Sequence, residues 1–453
     1  MSDVLDLFVT EARAVSFESA CDRVGIPQSL RGKPEHQGPC PRCGGNDRFA
    51  VNRKKGVWNC RGCGAGGRDG IGLAAHVKHL DVNRRVDFLE ACSIVLNQTV
   101  PSEGERESDE DRAARLARIA ESEAKAAAER EKKEKAQSDF RQREINQARG
   151  LWLNAVDCRM ATPDATDGAR LISSYIKART GFDPAGTIFD HIRYAPRATY
   201  WHGQDEMGRA LALYTGPALV VPIVDVVARQ ITGSQTIWID LSAKPKRRPV
   251  LWGLKPEGRK AGFSELEHGG AKVPPREEWV TAGYYERISS KKMRGHKKGG
   301  VIPVAGEPSA TRWLGGEGIE TTAAYAGREG FRDDTFYFAA GDIGNMAGPS
   351  DPSSNFPHPI MTKPDAGGRK RFVRVLGPVP KADSEDSAMC VAQHVTSLVL
   401  LVDPDSEPVA TASAMARARC RFETSEREVS LLYAERRKDW ADFCRDEQQG
   451  QAG

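Results

Sequence analysis

The sequence predicts a multidomain α+β protein. Three observations carry that reading: two Cys-x2-Cys pairs, Cys40/Cys43 and Cys60/Cys63; a run of Ala, Glu, Lys and Arg over residues 112–135; and an alternation of strand and helix signals from Arg312 onward. At 453 residues the chain is too long for one ordinary core. Four segments are expected: a cysteine-bearing module over 1–100, a charged helical linker over 101–150, a mixed α/β region over 151–305, and a parallel α/β domain over 306–446.

In the first segment an opening helix is expected over 4–24 and further helices over 72–80 and 86–96. The acidic start lacks the basic and apolar regions of a secretory signal, so a reducing compartment is expected and the ten cysteines are not expected to form a disulfide framework. Six are scattered and read as small buried hydrophobes. The other four, with sixteen residues between the pairs, have the spacing of a two-knuckle zinc site. Each turn presents two thiolates, and Gly44-Gly45 and Gly64 let the backbone fold back. Cys40, Cys43, Cys60 and Cys63 would close a tetrahedron with no open position, which makes the single Zn2+ structural. With four thiolates available, His76 and His79, three apart on a helix, are read as surface or packing residues. Residues 48–51 and 56–59 read as a hairpin between the knuckles.

From residue 28 to 88 the sequence holds twelve Lys or Arg against five Asp or Glu. Arg53, Lys54 and Lys55 fall at the hairpin tip beside Phe49 and Trp58, a pairing suited to phosphate contact with base stacking. The run over 112–135 alternates acids and bases at helical spacing without a wide apolar stripe. It reads as a solvated helix stiffened by i,i+4 ion pairs, a semi-rigid spacer.

Beyond residue 151, a helix is expected over 169–179 and two strands over 218–227 and 230–241. Residues 254–300, rich in Gly, Lys and Arg, read as loops. Strands over 312–314, 335–339, 397–402 and 428–433, with helices over 319–328 and 409–419, give the rhythm of a parallel sheet. A Pro/Gly-rich insertion, about 347–380, interrupts it and reads as a lid or a partner-binding loop. Glu317 follows the first of these strands. Asp403 and Asp405 end the third and, being two apart on an extended chain, face one way. Acids at the carboxyl edge of such a sheet stand where α/β active sites form. Hard carboxylates suit Mg2+ or Mn2+.

Two resemblances follow. The segment Cys-Pro-Arg-Cys-Gly-Gly-Asn-Asp-Arg-Phe, then Trp-Asn-Cys-Arg-Gly-Cys, then Gly66-Gly67-Arg68-Asp69, resembles the zinc-binding domain of bacterial and phage DNA primases, with Cys43 where those domains usually carry His. The segment Glu317-Gly318-Ile319-Glu320-Thr321, with Asp403-Pro404-Asp405, resembles the Toprim fold of primases, topoisomerases and some nucleases, in the form found in phages and integrated elements. Residues 438–443 are similar to the terminal acidic motif of primase Toprim domains. Two positions depart from the pattern: Pro408 stands where a Gly is common, and Thr321 where replicative primases have Asp.

The resemblance implies primer synthesis by two-metal nucleotidyl transfer on single-stranded DNA from nucleoside triphosphates. Glu317, Asp403 and Asp405 would be the catalytic and metal-binding acids, with Glu320, Asp439 and Asp442 as further candidates. It also implies a basic ridge including Lys244, Lys246 and Arg247, extended by Arg248 and by the cations between 291 and 298. A Toprim nuclease and a non-catalytic DNA-binding protein are the alternatives. No Gly-x4-Gly-Lys-[Ser/Thr] phosphate loop is present, so a separate replicative helicase is the expected partner. No run approaches the roughly 18 apolar residues of a membrane span, and a bacterial cytoplasmic location is expected.

Overall fold

A computed structural model describes residues 3–27, 35–102, 108–205, 207–264, 274–364, 369–382, 388–403, 407–434 and 439–451. The chain divides into two compact units, Met1–Ser138 and Asp139–Gly453.

The first unit opens with α1 (Asp3–Ala14) and α2 (Phe17–Arg23) rather than with one helix. Ser16 makes the break. Its backbone is extended and its hydroxyl accepts from the Ser19 amide at 3.1 Å, capping α2. Strands β1 (Glu35–Cys40), β2 (Gly44–Asn52), β3 (Val57–Cys60) and β4 (Ala65–Gly67) form an antiparallel ribbon in chain order. The expected hairpin is its centre, with Asn52 opposite Val57. Asp69 caps α3 (Gly70–Val77), accepting from the Gly72 amide at 2.6 Å, and α4 (Arg85–Leu96) follows. Phe8, Cys21, Phe49, Val51, Trp58, Leu73, Cys92 and Val95 form the core between ribbon and helices.

Helix α5 spans Asp109–Leu153. Its middle is exposed and carries the anticipated i,i+4 pairs, Glu121–Lys125 at 2.6 Å and Glu129–Lys133 at 2.8 Å. Near its start it is tied down at a few points. Arg115 and Arg118 close on the buried Glu11 of α1 at 2.8 and 2.7 Å, and Ile119 is buried.

The second unit continues with β5 (Val156–Asp157), α6 (Pro163–Thr180), β6 (Arg193–Gln204), β7 (Ala210–Asp225) and β8 (Gln230–Trp238). Next come β9 (Leu251–Leu254), β10 (Tyr285–Ile288), β11 (Lys291–Gly295) and β12 (Ile302–Ala305). Five of these strands form an antiparallel sheet in the order β11-β8-β7-β6-β5, while β9 and β10 pair separately. The stretch expected as loops therefore contains two strands. Its Lys and Arg residues hid them, because β11 takes its place by backbone pairing with β8, Lys291 opposite Ile237, and not by an apolar run.

The chain then forms β13 (Arg312–Gly316), α7 (Ile319–Arg328), β14 (Thr335–Ala339) and α8 (Ile343–Ala347). After these come β15 (Phe356–Pro364), β16 (Lys370–Val375), β17 (Ser397–Val402), α9 (Pro408–Phe422), β18 (Glu428–Tyr433) and α10 (Trp440–Gln451). The sheet order is β12-β14-β13-β17-β18, parallel except for β12. Both faces of its central strands are covered, which is why β14 and β17 are almost continuously apolar. Leu314, Tyr337, Val399 and Leu401 pack with Ile172, Ile176, Ala323 and Trp440. On the other face Trp313, Phe336, Phe338, Leu398 and Leu400 pack with Met346, Met415 and Phe422. The insertion is the β15–β16 hairpin, a sheet of its own. The architecture is mixed α+β and multidomain. Among the described residues no helix is long and apolar enough to cross a membrane.

Candidate metal centre and acidic sheet edge

Cys40 ends β1 and pairs with Gly44, and Cys60 ends β3 and pairs with Ala65, so each Cys-x2-Cys is a tight turn. Gly44 and Gly64 take left-handed conformations, φ +66° and +68°, which a side chain would strain. The turn amides aim at sulfur: those of Arg42 and Cys43 donate to Cys40 Sγ at 3.3 and 3.4 Å, and that of Cys63 donates to Cys60 Sγ at 3.3 Å. Such donors stabilise thiolates. Two thiolates bound to one zinc stand about 3.8 Å apart. Cys40 Sγ lies 3.8 Å from Cys63 Sγ, and Cys43 Sγ lies 3.5 Å from Cys60 Sγ. Cysteine donors at these separations fit one Zn2+, but the expected four-cysteine set is not the one that converges: Cys43 stands outside the group whose donor atoms all lie within 4.8 Å of one another.

His76 joins this cluster rather than the surface. Its Nε2 lies 3.3 Å from Cys40 Sγ, and Cys40, Cys60, Cys63 and His76 bring one donor atom each to within 4.8 Å of one another. Phe49 stacks on the imidazole at 5.6 Å and Trp58 closes on it at 4.8 Å. Burial, reinforced by the charge of Arg42, holds its pKa below the ordinary value. A buried neutral imidazole is a competent ligand. His76 was legible only as a helical residue, because its approach to Cys40 depends on where Asp69 starts α3.

At the hairpin tip Lys54 and Lys55 are exposed. Arg53 is not available in the same way: it pairs with Asp22 at 2.7 Å and donates to the Ile26 carbonyl, tying the hairpin to α2. Trp58 and Phe49 are buried in the ribbon's core, so neither presents a face for base stacking.

In the second unit β13 and β17 are parallel neighbours, Gly315 opposite Leu400, which sets Glu317 and Asp403 just past adjacent strand ends. Thr321 Oγ1, in the first turn of α7, donates to Asp403 Oδ2 at 2.9 Å, and the Trp440 amide donates to Oδ1 at 3.1 Å. Each carboxylate oxygen accepts one of these bonds, so both are held in place. Pro408 occupies the first turn of α9, where a missing N–H costs nothing, and Glu407 caps that helix. Asp405 lies outside the described residues. A third acid, Asp342, follows β14. Burial opposes its ionisation, but Lys297 and the Asn345 amide outweigh it and hold its pKa low.

The remaining candidate acids are engaged elsewhere. Glu320 is buried, accepting from Lys291 Nζ and from Tyr175 Oη at 2.6 Å each. Burial works against its charge, yet Lys291 and Arg248 hold it well below the usual carboxylate range. It cannot also serve a metal without breaking that pair. Asp439 caps α10, accepting from the Asp442 amide at 2.6 Å, and Asp442 pairs with Arg445 at 2.7 Å.

Several expected ridge cations are likewise committed within the fold. Lys292 sits 4.3 Å from the Tyr200 ring and Arg294 pairs with Glu144 at 3.2 Å. Lys244 and Lys246 are exposed. Lys244 and Arg247 line a cleft of about 550 Å³ with Lys177, Arg445 and Gln448. Arg247 also donates to the Leu241 carbonyl at 2.8 Å.

Compared with known proteins, residues 35–71 match a family described as the zinc-binding domain of primase-helicase. No curated protein matches the chain. A crystal structure of the Aquifex aeolicus primase, comprising its zinc-binding and RNA polymerase domains, aligns with TM-score 0.31 and 13% identity over 100% of this chain and 84% of that one. The chain thus carries, at residues 35–71, a zinc ribbon similar to that of primase-helicases.

Proposed function

We propose that this chain is a primase-like nucleotidyltransferase that makes short RNA primers on single-stranded DNA for a phage, plasmid or integrated element. In this reading residues 306–446 are a Toprim domain and a separate replicative helicase is the partner. The observation that carries the reading is the pair Glu317 and Asp403 at neighbouring parallel strand ends, with Asp403 oriented by Thr321 and the Trp440 amide. The primase-type ribbon at 35–71 supports it.

Glu317, Asp403 and Asp405 would hold Mg2+ or Mn2+, which when bound screens phosphate charge and acidifies the attacking hydroxyl. The chain's own part is to fix those carboxylates. Thr321 and the Trp440 amide hold Asp403 in one orientation, so its charge is directed before substrate arrives. Lys54 and Lys55 on the ribbon, and Lys244 and Lys246 in the second unit, offer exposed cations to template phosphates.

The test is the purified protein with single-stranded DNA, labelled nucleoside triphosphates and Mg2+ or Mn2+, products sized on a gel. Labelled oligoribonucleotides support the reading. Shortening of a labelled DNA strand would replace it with a nuclease, and DNA binding without either product would replace it with a binding protein.

A further inference from the structure

The β15–β16 hairpin has a composition that its own stability does not require. From residue 356 to 376 the sequence holds five Lys or Arg and one Asp. It also exposes large apolar side chains: Phe372 is 55% exposed and Ile360 81%. Side chains alternate across a strand. On β16, Val375 is buried and Val373 half-buried, so near the root that parity faces the protein, while Arg371, of the same parity nearer the tip, is exposed. Lys370, Phe372 and Arg374 have the opposite parity and all are exposed. The outer face is therefore a cation–aromatic–cation stripe with successive members about 6.6 Å apart.

The base of the hairpin is fixed. His358 is buried, and its Nδ1 accepts from the amides of Ile360 and Met361 at 3.1 and 2.7 Å. Nε2 therefore carries the proton and donates to Glu407 Oε1 at 2.9 Å. Glu407 caps α9, the helix that follows the Asp403 loop. Ser413 and Arg417 of α9 donate to the carbonyls of Leu376 and Gly377. A two-stranded ribbon alone is marginal in water. This one is clamped at its root and displays its charged, aromatic outer face to solvent.

We propose that the outer face of β16 is a single-stranded nucleic-acid docking site, with Phe372 stacking on a base and Lys370 and Arg374 contacting flanking phosphates. Charge complementarity selects a polyanion, and the interleaved aromatic selects one with unpaired bases. The docking site stands on the hairpin alone; only its use in delivering a template to Asp403 rests on the proposed function.

The experiment measures anisotropy of a labelled oligothymidylate of about 20 nucleotides, long enough to cover a site of this kind, against the full-length protein across a salt series. Phe372→Ala should weaken binding about tenfold. The double variant Lys370→Gln/Arg374→Gln should weaken it and lower the slope of log affinity against log salt by about 1.4, the value for two phosphate contacts on a single strand. Circular dichroism and melting temperature should match wild type. Wild-type affinity and slope in both folded variants overturns the proposal, even if the variants alter association with another protein. Asp403→Asn separates the two readings: it should bind as wild type does. If no form of the protein incorporates nucleotides while the hairpin variants bind weakly, the docking site stands and the reaction falls.

Discussion

Thr321 Oγ1 donates a 2.9 Å hydrogen bond to Asp403 Oδ2, joining the first turn of α7 to the end of the strand beside it. The position where replicative primases are expected to carry an acid here orients one instead. Hydrogen bonds to charged groups contribute about 1.5–3 kcal/mol. Thr321→Val keeps the shape and removes the donor, so nucleotide incorporation should fall about tenfold or more, with single-stranded DNA affinity unchanged. Thr321→Ser should restore most of the rate. A fully active Val variant would show that Asp403 does not depend on this bond.

Asp403→Asn and Glu317→Gln address the acids directly. Each preserves side-chain shape and deletes a negative charge at the carboxyl edge of the sheet. Incorporation should drop below detection in both, because the divalent ion loses a hard ligand. DNA binding should persist, since it rests on cations elsewhere, and should weaken steeply with salt. Asp439→Asn should be milder, because that side chain caps α10. Near wild-type extension by both acid variants places the chemistry outside this sheet edge.

Glu320 makes a pH-dependent contribution whose sign is fixed by its surroundings. Lys291 and Arg248 depress its pKa in the folded protein, whereas in the unfolded chain it titrates near 4.3. Its stabilising effect is therefore complete above about pH 5 and declines as pH falls below 4. Glu320→Gln leaves Lys291 buried without its partner and should cost about 3–5 kcal/mol at pH 7. In urea unfolding, the gap between wild type and variant should narrow on acidification. A constant gap from pH 7 to pH 3 would mean that the pair is not ionic.

Much of the fold was readable because each signal was local. β14, β17, β18 and α7 occupy the residues expected, since short apolar runs bounded by Gly, Asp or Pro leave little choice. The placement of Glu317 and Asp403 at adjacent strand ends followed from the same rhythm. What could not be read depends on distant partners. Lys291 and Glu320 are 29 residues apart, and only the packing of Tyr175 from α6 turns an apparent surface cation into half of a buried pair. Trp58 looked like a stacking platform because it neighbours three cations in sequence, yet its ring packs against Phe49 and His76. The break at Ser16 is a single-residue competition between continuing a helix and capping the next.

The ribbon and α3 together offer five donors for four zinc positions, and the surplus makes the cysteines unequal. Buried Cys40 and Cys60 converge with exposed Cys63 and with His76, whereas Cys43, also exposed, stands outside that group with its sulfur 3.5 Å from that of Cys60. One Zn2+ per chain should co-purify. Cys60→Ser removes a buried member of the converging group and the sulfur beside Cys43, leaving three converging donors, so it should lose the metal and unfold the first unit, because apparent zinc binding of about 10–16 kcal/mol is folding energy in such modules. Cys43→Ser should keep the metal through His76 and release it faster to a chelator. His76→Phe retains the ring between Phe49 and Trp58 and should also keep the metal, through four thiolates. The double variant Cys43→Ser/His76→Phe has three donors left and should be metal-free, a loss far larger than the sum of the single effects. Zinc content by elemental analysis after chelator challenge measures all four. If Cys43→Ser alone is as zinc-free as Cys60→Ser, His76 is a hydrogen-bond donor to Cys40 and not a ligand.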